Sequence, residues 1–446
     1  MPSFDTRLTT RNPLFRLNRP NRRGLTLVEI LVAMTMTLII LGAMMAAFQY
    51  ASVQMQDGRA VMEMASRARS VEDQLRIDLA GLSIDPRPYT DSAEPNGYFE
   101  INERPRRDDT EMGGTESYLG DVDDVLGMTV RARNGVLFRG RGPAGTLESS
   151  LAEVVWFTSV KAAGEAGAIA TAIPTAAGSI PFDSTVRLHR RQLLIRPDLG
   201  TLVTDQTPVQ VNALLSTTDI SCRVVPGSAA GVFNVIANNL TDLARRENRF
   251  AHNISAFPHP MDTGLIFARA HSLGEDIMLT DVVAFDLRVY SPNAEVVVDS
   301  SANIAIEPGD VGTSYTTAVT SSATEASLDN LTIGAFVDLD HFAASGWFAG
   351  TPSAKSQLAI GGTAVWDSWS PSYEADGIDQ DGDTLFDEGT NGVNNGGSSA
   401  PDDNLERETE PPYPNPIRGV KVTLRLIEKG TKKVFQTSIV HSYVPE

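Results

Sequence analysis

The chain has 446 residues, a net charge of −19, six histidines and one cysteine, Cys222. Acidity on this scale speaks against nucleic acid as a partner, because phosphate recognition needs Lys and Arg, and it fits a soluble, exported surface. A lone cysteine excludes an intrachain disulfide or a thiolate metal cluster. The length holds one elaborated domain or two, and Cys222 reads as a free buried thiol.

Residues 1–24 form a basic leader, with Arg7, Arg11, Arg16, Arg19, Arg22 and Arg23 against one acid, Asp5. From Gly24 to Phe48 the sequence is GLTLVEILVAMTMTLIILGAMMAAF, and Glu29 is its one formal charge. As a helix rising about 1.5 Å per residue, the run spans roughly 36 Å, enough for a bilayer core of about 30 Å. The basic leader is expected to stay cytoplasmic, which sends everything after the helix across the membrane. A carboxylate in such a segment costs about 3 kcal/mol on insertion scales and marks function.

The order Gly24, Leu25, Thr26, Leu27, Val28, Glu29 resembles the prepilin signature of type IV pilins and type II secretion pseudopilins. The resemblance implies that a membrane peptidase cuts between Gly24 and Leu25 and methylates Leu25, with Glu29 as the acid at the fifth mature position. The spacing has a physical rationale. The new α-amine of Leu25 needs a partner in an apolar fibre, and a carboxylate about one helical turn away, on the same or a neighbouring subunit, supplies it. An ordinary secretory signal peptide does not account for Glu29. Removing the leader leaves a net charge of −24 on the mature chain.

Residues 49–85 continue the helix in amphipathic form. Val53, Ala60, Met64, Val71, Leu75 and Leu79 make an apolar stripe, Glu72 and Arg76 stand four apart, and Asp57-Gly58 is a candidate kink. Gly81, Pro86 and Pro88 end it. Beyond them the pattern becomes antiparallel β. Strands are expected at Val125–Val130, Val136–Phe138 after an Asn134-Gly135 turn, Ala152–Thr158, Val186–Ile195 and Leu279–Tyr290. A closing hairpin, within 418–446, joins Val420–Ile427 to Val434–Val444 through Lys429-Gly430. The predicted class is α+β: a long N-terminal helix packed on an antiparallel β head, 86–290, that carries large loop-rich insertions. One insertion is 197–275, with a helical candidate at Leu240–Arg249. The other is the Ser/Gly/Pro-rich stretch 291–417. This order of elements resembles the J-class minor pseudopilins and W-type minor pilins, with the specific signal confined to residues 22–48.

One constellation carries possible chemistry: Asp376-Gly377-Ile378-Asp379-Gln380-Asp381-Gly382-Asp383, then Asp387 and Glu388. Alternating carboxylates with glycines between them suit Ca²⁺, which takes six to eight oxygen ligands. The run resembles the calcium loops of EF-hand-like and thrombospondin-type repeats. Counted from Asp379, however, the sixth position is Thr384 and the twelfth Thr390, so a bidentate ligand is expected from Asp387 or Glu388. The alternative is a solvated acidic loop. Gly140-Arg141-Gly142-Pro143-Ala144-Gly145 matches a dinucleotide fingerprint on paper but precedes a strand, so it reads as a turn. His252 and His259 read as surface loop residues. Trp156 reads as core, and Trp366 and Trp369 are the better candidates for exposed contact.

The expected function is a minor pseudopilin or minor pilin, not an enzyme. It would be a single-pass protein of the bacterial inner membrane with its head in the periplasm or on the cell surface. Its implied partners are prepilin peptidase, other pseudopilins or pilins and an inner-membrane assembly platform. A second reading is an anchored, calcium-dependent adhesin.

Overall fold

The computed structural model describes residues 26–89, 96–103, 120–159, 185–255, 257–262, 277–299, 304–306, 330–339, 359–360, 363–394, 400–403, 406–413, 415–428 and 430–443. The chain divides into two units, Met1–Gly58 and Arg59–Glu446. Helix α1, Leu27–Ala80, begins in the first, includes Asp57-Gly58 without a break and ends in the second.

Within the first unit the apolar side chains of α1 are exposed in every direction, from Leu27 and Val28 to Val53 and Met55. Within the second, Ala60, Met64, Ala68, Val71, Leu75 and Leu79 are buried. Their steps of three and four residues place them on one helix face. From Ala60 onward the expected stripe is the observed one, with Ala68 added.

The end of α1 has a steric cause. A Cβ at Gly81 would lie 2.8 Å from Val130 Cγ1 and 2.9 Å from the Arg131 carbonyl, so only glycine lets the backbone pass this close to the sheet. The contact is sealed by Arg131 N donating to Gly81 O at 2.7 Å.

The main sheet is antiparallel and, among the described residues, has eleven strands. In chain order they are β1 (Phe99–Glu103), β2 (Val125–Arg131), β5 (Leu151–Ser159), β6 (Val186–Leu194), β10 (Ile277–Asp299), β11 (Ile304–Ile306), β12 (Asn330–Val337), β13 (Ala359–Ile360), β14 (Thr363–Asp367), β15 (Gly419–Glu428) and β16 (Lys433–Ser442). Their spatial order is β13-β14-β1-β2-β5-β6-β10-β15-β16, with β11 and β12 paired to the far part of β10. A separate hairpin joins β3 (Phe138–Gly142) to β4 (Gly145–Ser149).

Alternation along the strands makes two apolar faces. Leu126, Met128, Val130, Val154, Trp156, Leu188, Phe285, Leu287, Val422 and Leu424 join the helix stripe in one core. Val125, Val155, Phe157 and Leu193 face the other way and meet Phe250 and Ala251. The register pairs Leu126 with Trp156 and Met128 with Val154, so core side chains stand beside one another across β2 and β5.

Both expected insertions therefore have structural work. Segment 197–275 covers the second face with β7 (Thr201–Gln206), α2 (Pro208–Thr217), β8 (Cys222–Pro226), β9 (Phe233–Ala237) and α3 (Leu240–Ala244). The helical candidate Leu240–Arg249 is shorter than expected. It ends where Arg245 turns extended, and a 3₁₀ turn at Arg246–Asn248 follows. Stretch 291–417, expected as loop-rich, adds β11 to β14 to the main sheet, and β14 pairs with β1. These strands are two to eight residues long, too short for a period-2 pattern to stand out in Ser- and Ala-rich sequence. Along one edge β10 pairs with β15, and along the other it pairs first with β6 and then with β12, so that Val289 meets Val420 on one side and Val337 on the other.

Cys222, expected to be buried, is only half-buried on β8, where its Sγ donates to Ile220 O at 3.3 Å.

Candidate functional site

The N-terminal site is built on the first turn of α1. Thr26 precedes the helix, and its Oγ1 accepts from Glu29 N at 3.2 Å. Glu29 Oε2 in turn accepts from Thr26 N at 3.0 Å and from Thr26 Oγ1 at 3.2 Å. This is a capping box, in which residue and partner satisfy each other's free groups at the helix start. The prepilin spacing predicts Glu29 as the partner of the Leu25 amine; the cap is a second role, and Thr-x-x-Glu is its sequence signal. Gly24 and Leu25 lie outside the described residues. Thr35 and Thr37 donate to the carbonyls of Val32 and Ala33 at 2.9 and 2.7 Å. Every polar side chain from Thr26 to Phe48 thus has a partner inside its own helix, as a hydrocarbon environment demands. The helix is long and apolar enough to cross a membrane.

A second candidate site is the acidic loop. Asp379, Asp381 and Asp383 bring ligand oxygens within 4.8 Å of one another. The loop winds by its own side chains: Gly382 N and Thr384 N donate to the Asp379 carboxylate at 2.6 and 2.9 Å, and Leu385 N donates to Asp383 at 2.9 Å. Thr384 adopts φ 80°, a glycine-like conformation at the sixth position, where EF-hand loops carry glycine.

Asp376 and Asp387 are turned to other tasks. Both Asp387 oxygens accept from Gly377 N, at 2.9 and 3.1 Å, and both Asp376 oxygens accept from Gln380 Nε2, at 2.9 and 3.0 Å. Glu388 is buried. Beside it lies Glu408, which sequence reading did not single out. It is 1% exposed, and its Oε2 accepts from Gln380 N at 3.1 Å. Burial raises the Glu408 carboxyl, and repulsion from Asp381 and Glu388 adds to the rise.

Residues 19–45 match the prokaryotic N-terminal methylation motif. The chain's N-terminal segment is that of a type IV prepilin-like protein. No curated protein and no solved structure matches the chain. The motif of the prepilin-like chain implies processing by prepilin peptidase and assembly with other pilins.

The β-sheet head also contains a buried ionic cluster that no local sequence pattern signals. Register places Glu100 of β1 directly opposite Asp367 of β14. Two carboxylates so paired repel, and segment 197–275 neutralises them. Arg246 contacts both, Arg249 contacts both, with Glu100 at 2.8 Å, and His252 Nε2 lies 3.0 Å from Glu100. Burial would raise the Glu100 carboxyl, but Arg246, His252 and Arg249 together hold it well below the usual range. All five side chains are fully enclosed. His252, expected at the surface, is therefore core, because its ring completes this cluster.

Trp366 and Trp369, expected as exposed contacts, are also core. Trp366 Nε1 donates to Asn415 O and Trp369 Nε1 to Thr409 Oγ1, both at 3.0 Å, so each indole is buried with its N–H satisfied. Trp156 is buried as expected. The sequence Gly140–Gly145 is the tip of the β3–β4 hairpin, with Gly142 opposite Gly145, and is a turn as expected.

Proposed function

We propose that the chain is a minor pseudopilin or minor pilin of the J or W class, cut after Gly24, methylated at Leu25, and built through the first half of α1 into a short fibre. One observation carries the reading. The methylation motif sits on a helix whose apolar side chains, from Leu27 to Met55, are exposed among the described residues. Such a surface requires lipid before assembly and neighbouring helices after it. In the fibre, the Leu25 amine would take the Glu29 carboxylate from the Thr26 cap, or share it, on its own subunit or the next.

The head supports a place at the tip. Its side layer, 197–262, and its acidic loop add bulk that a repeating shaft would have to accommodate in every copy. The bacterial inner membrane is the site of insertion in this reading, with the head outside the cytoplasm. Quantitative mass spectrometry of isolated fibres tests the tip assignment. One or a few copies per fibre is the expected result, and copy numbers equal to those of the major subunit would contradict it.

A further inference from the structure

We propose that Asp379, Asp381 and Asp383, closed from outside the linear loop by Glu408, form a structural Ca²⁺ site. This goes beyond the fibre reading and does not depend on it. The three aspartates converge within 4.8 Å, but convergent exposed acids alone do not make a site. The deciding group is Glu408. Its side chain is buried and fixed to the cluster through Gln380 N, which lies between Asp379 and Asp381 in sequence. Its second oxygen, Oε1, is buried and has no hydrogen-bond donor among the described residues. A desolvated carboxylate oxygen without a donor, set among further carboxylates, is stabilised by a cation.

Glu408 also answers the defect in the linear motif. Position twelve is Thr390, and Asp387 spends both oxygens on Gly377 N. A glutamate from the returning segment takes the place of the missing loop glutamate. The donors are all hard oxygens, which selects against Zn²⁺. An irregular carboxylate set suits Ca²⁺ better than the strict octahedron of Mg²⁺.

The site would tie two segments together. Glu408 adjoins Thr409, which meets Glu374, Trp369 and Tyr89. A bound ion would thus fasten the loop to the β-sheet head.

The test uses the full chain in detergent micelles, stripped with chelator and titrated calorimetrically with CaCl₂ or MgCl₂. One Ca²⁺ per chain is expected, with a dissociation constant of about 10⁻⁴ M, in the range of extracellular modules, and weaker Mg²⁺ binding. Glu408→Gln and the exposed Asp383→Asn should each weaken Ca²⁺ binding by about tenfold or more, whereas the remote Asp198→Asn should not. Circular dichroism confirms that each variant is folded. Absence of Ca²⁺ binding by the unaltered chain, or unchanged binding by Asp383→Asn or by folded Glu408→Gln, would overturn the site. The Asp383 variant decides the matter if Glu408→Gln fails to fold. Processing at Gly24 is unaffected by any of these results, so failure here leaves the fibre reading standing.

Discussion

Asp78 shows how one residue joins helix to sheet. It is fully buried on α1, and it accepts from Trp156 Nε1 at 2.9 Å, from Arg190 Nε at 2.7 Å and from Arg190 Nη2 at 2.8 Å. Removing one partner of a buried pair strands the other charge, at about 3–5 kcal/mol. Asp78→Ala is therefore expected to lower stability by that amount in denaturant titration. Glu63→Ala, which breaks the solvent-exposed pair with Arg67, should cost under about 1 kcal/mol. Equal losses would show that Asp78 does not clamp the helix.

Asp124 acts in the opposite sense. Burial raises its carboxyl well above the usual range, with repulsion from Glu103, Asp286 and Asp123 adding to the effect. The native state then holds a proton that the unfolded chain gives up above about pH 4. Asp124 consequently lowers stability as pH rises through and above that value, and has no such effect below it. Asp124→Asn keeps an acceptor for Leu287 N. It should raise the Tm at pH 7 and leave it unchanged at pH 3. A gain that is equal at both pH values would rule out this origin.

Thr384 holds φ 80°, which costs a β-branched residue roughly 1–2 kcal/mol. Thr384→Gly is expected to recover about 1 kcal/mol, read as slower proteolysis of the acidic loop. Residues such as Trp156 were legible because a tryptophan inside AEVVWFT has no exposed face to occupy. Asp78 and His252 were not, since an acid on an amphipathic helix or a histidine in a loop is normally solvated, and only long-range partners reverse that.

At the scale of elements, the helix, β2, β5, β6 and the closing hairpin were legible from periodicity alone. The hairpin pairs Gly419 with Ser442 through Glu428 with Lys433, within the expected bounds. Elements whose stability comes from distant charges were not legible. The segment after α3 looks like a weak helix in sequence, yet its Arg246, Arg249 and His252 hold β1 to β14. Arg249→Ala should leave Glu100 and Asp367 short of a counter-charge and cost about 3–5 kcal/mol. Hydrogen exchange should show the loss concentrated in β1, β14 and the 240–262 segment. Uniform protection across these elements would contradict the proposed role.

For the molecule as a whole, the two units divide the labour. The first carries a helix whose apolar side chains are exposed among the described residues, and the second folds on a core of its own. Glu29 bears on both stages of the proposed pathway. In membranes its carboxylate is held by Thr26, so Glu29→Leu should still insert. In a fibre the Leu25 amine loses its partner, so the same variant should fall out of isolated fibres by about tenfold or more, the effect of losing a buried charge partner. The motif itself was legible because it depends on local order: a glycine, an apolar run and one acid at fixed spacing. The acidic loop was legible only in part, since Glu408 approaches it from a separate stretch of chain.

The most direct test of the central claim is intact-mass and N-terminal peptide analysis of the protein from its native membrane. The account predicts a chain that begins at N-methyl-Leu25. A start near Ala46, or a leader still attached, would contradict it.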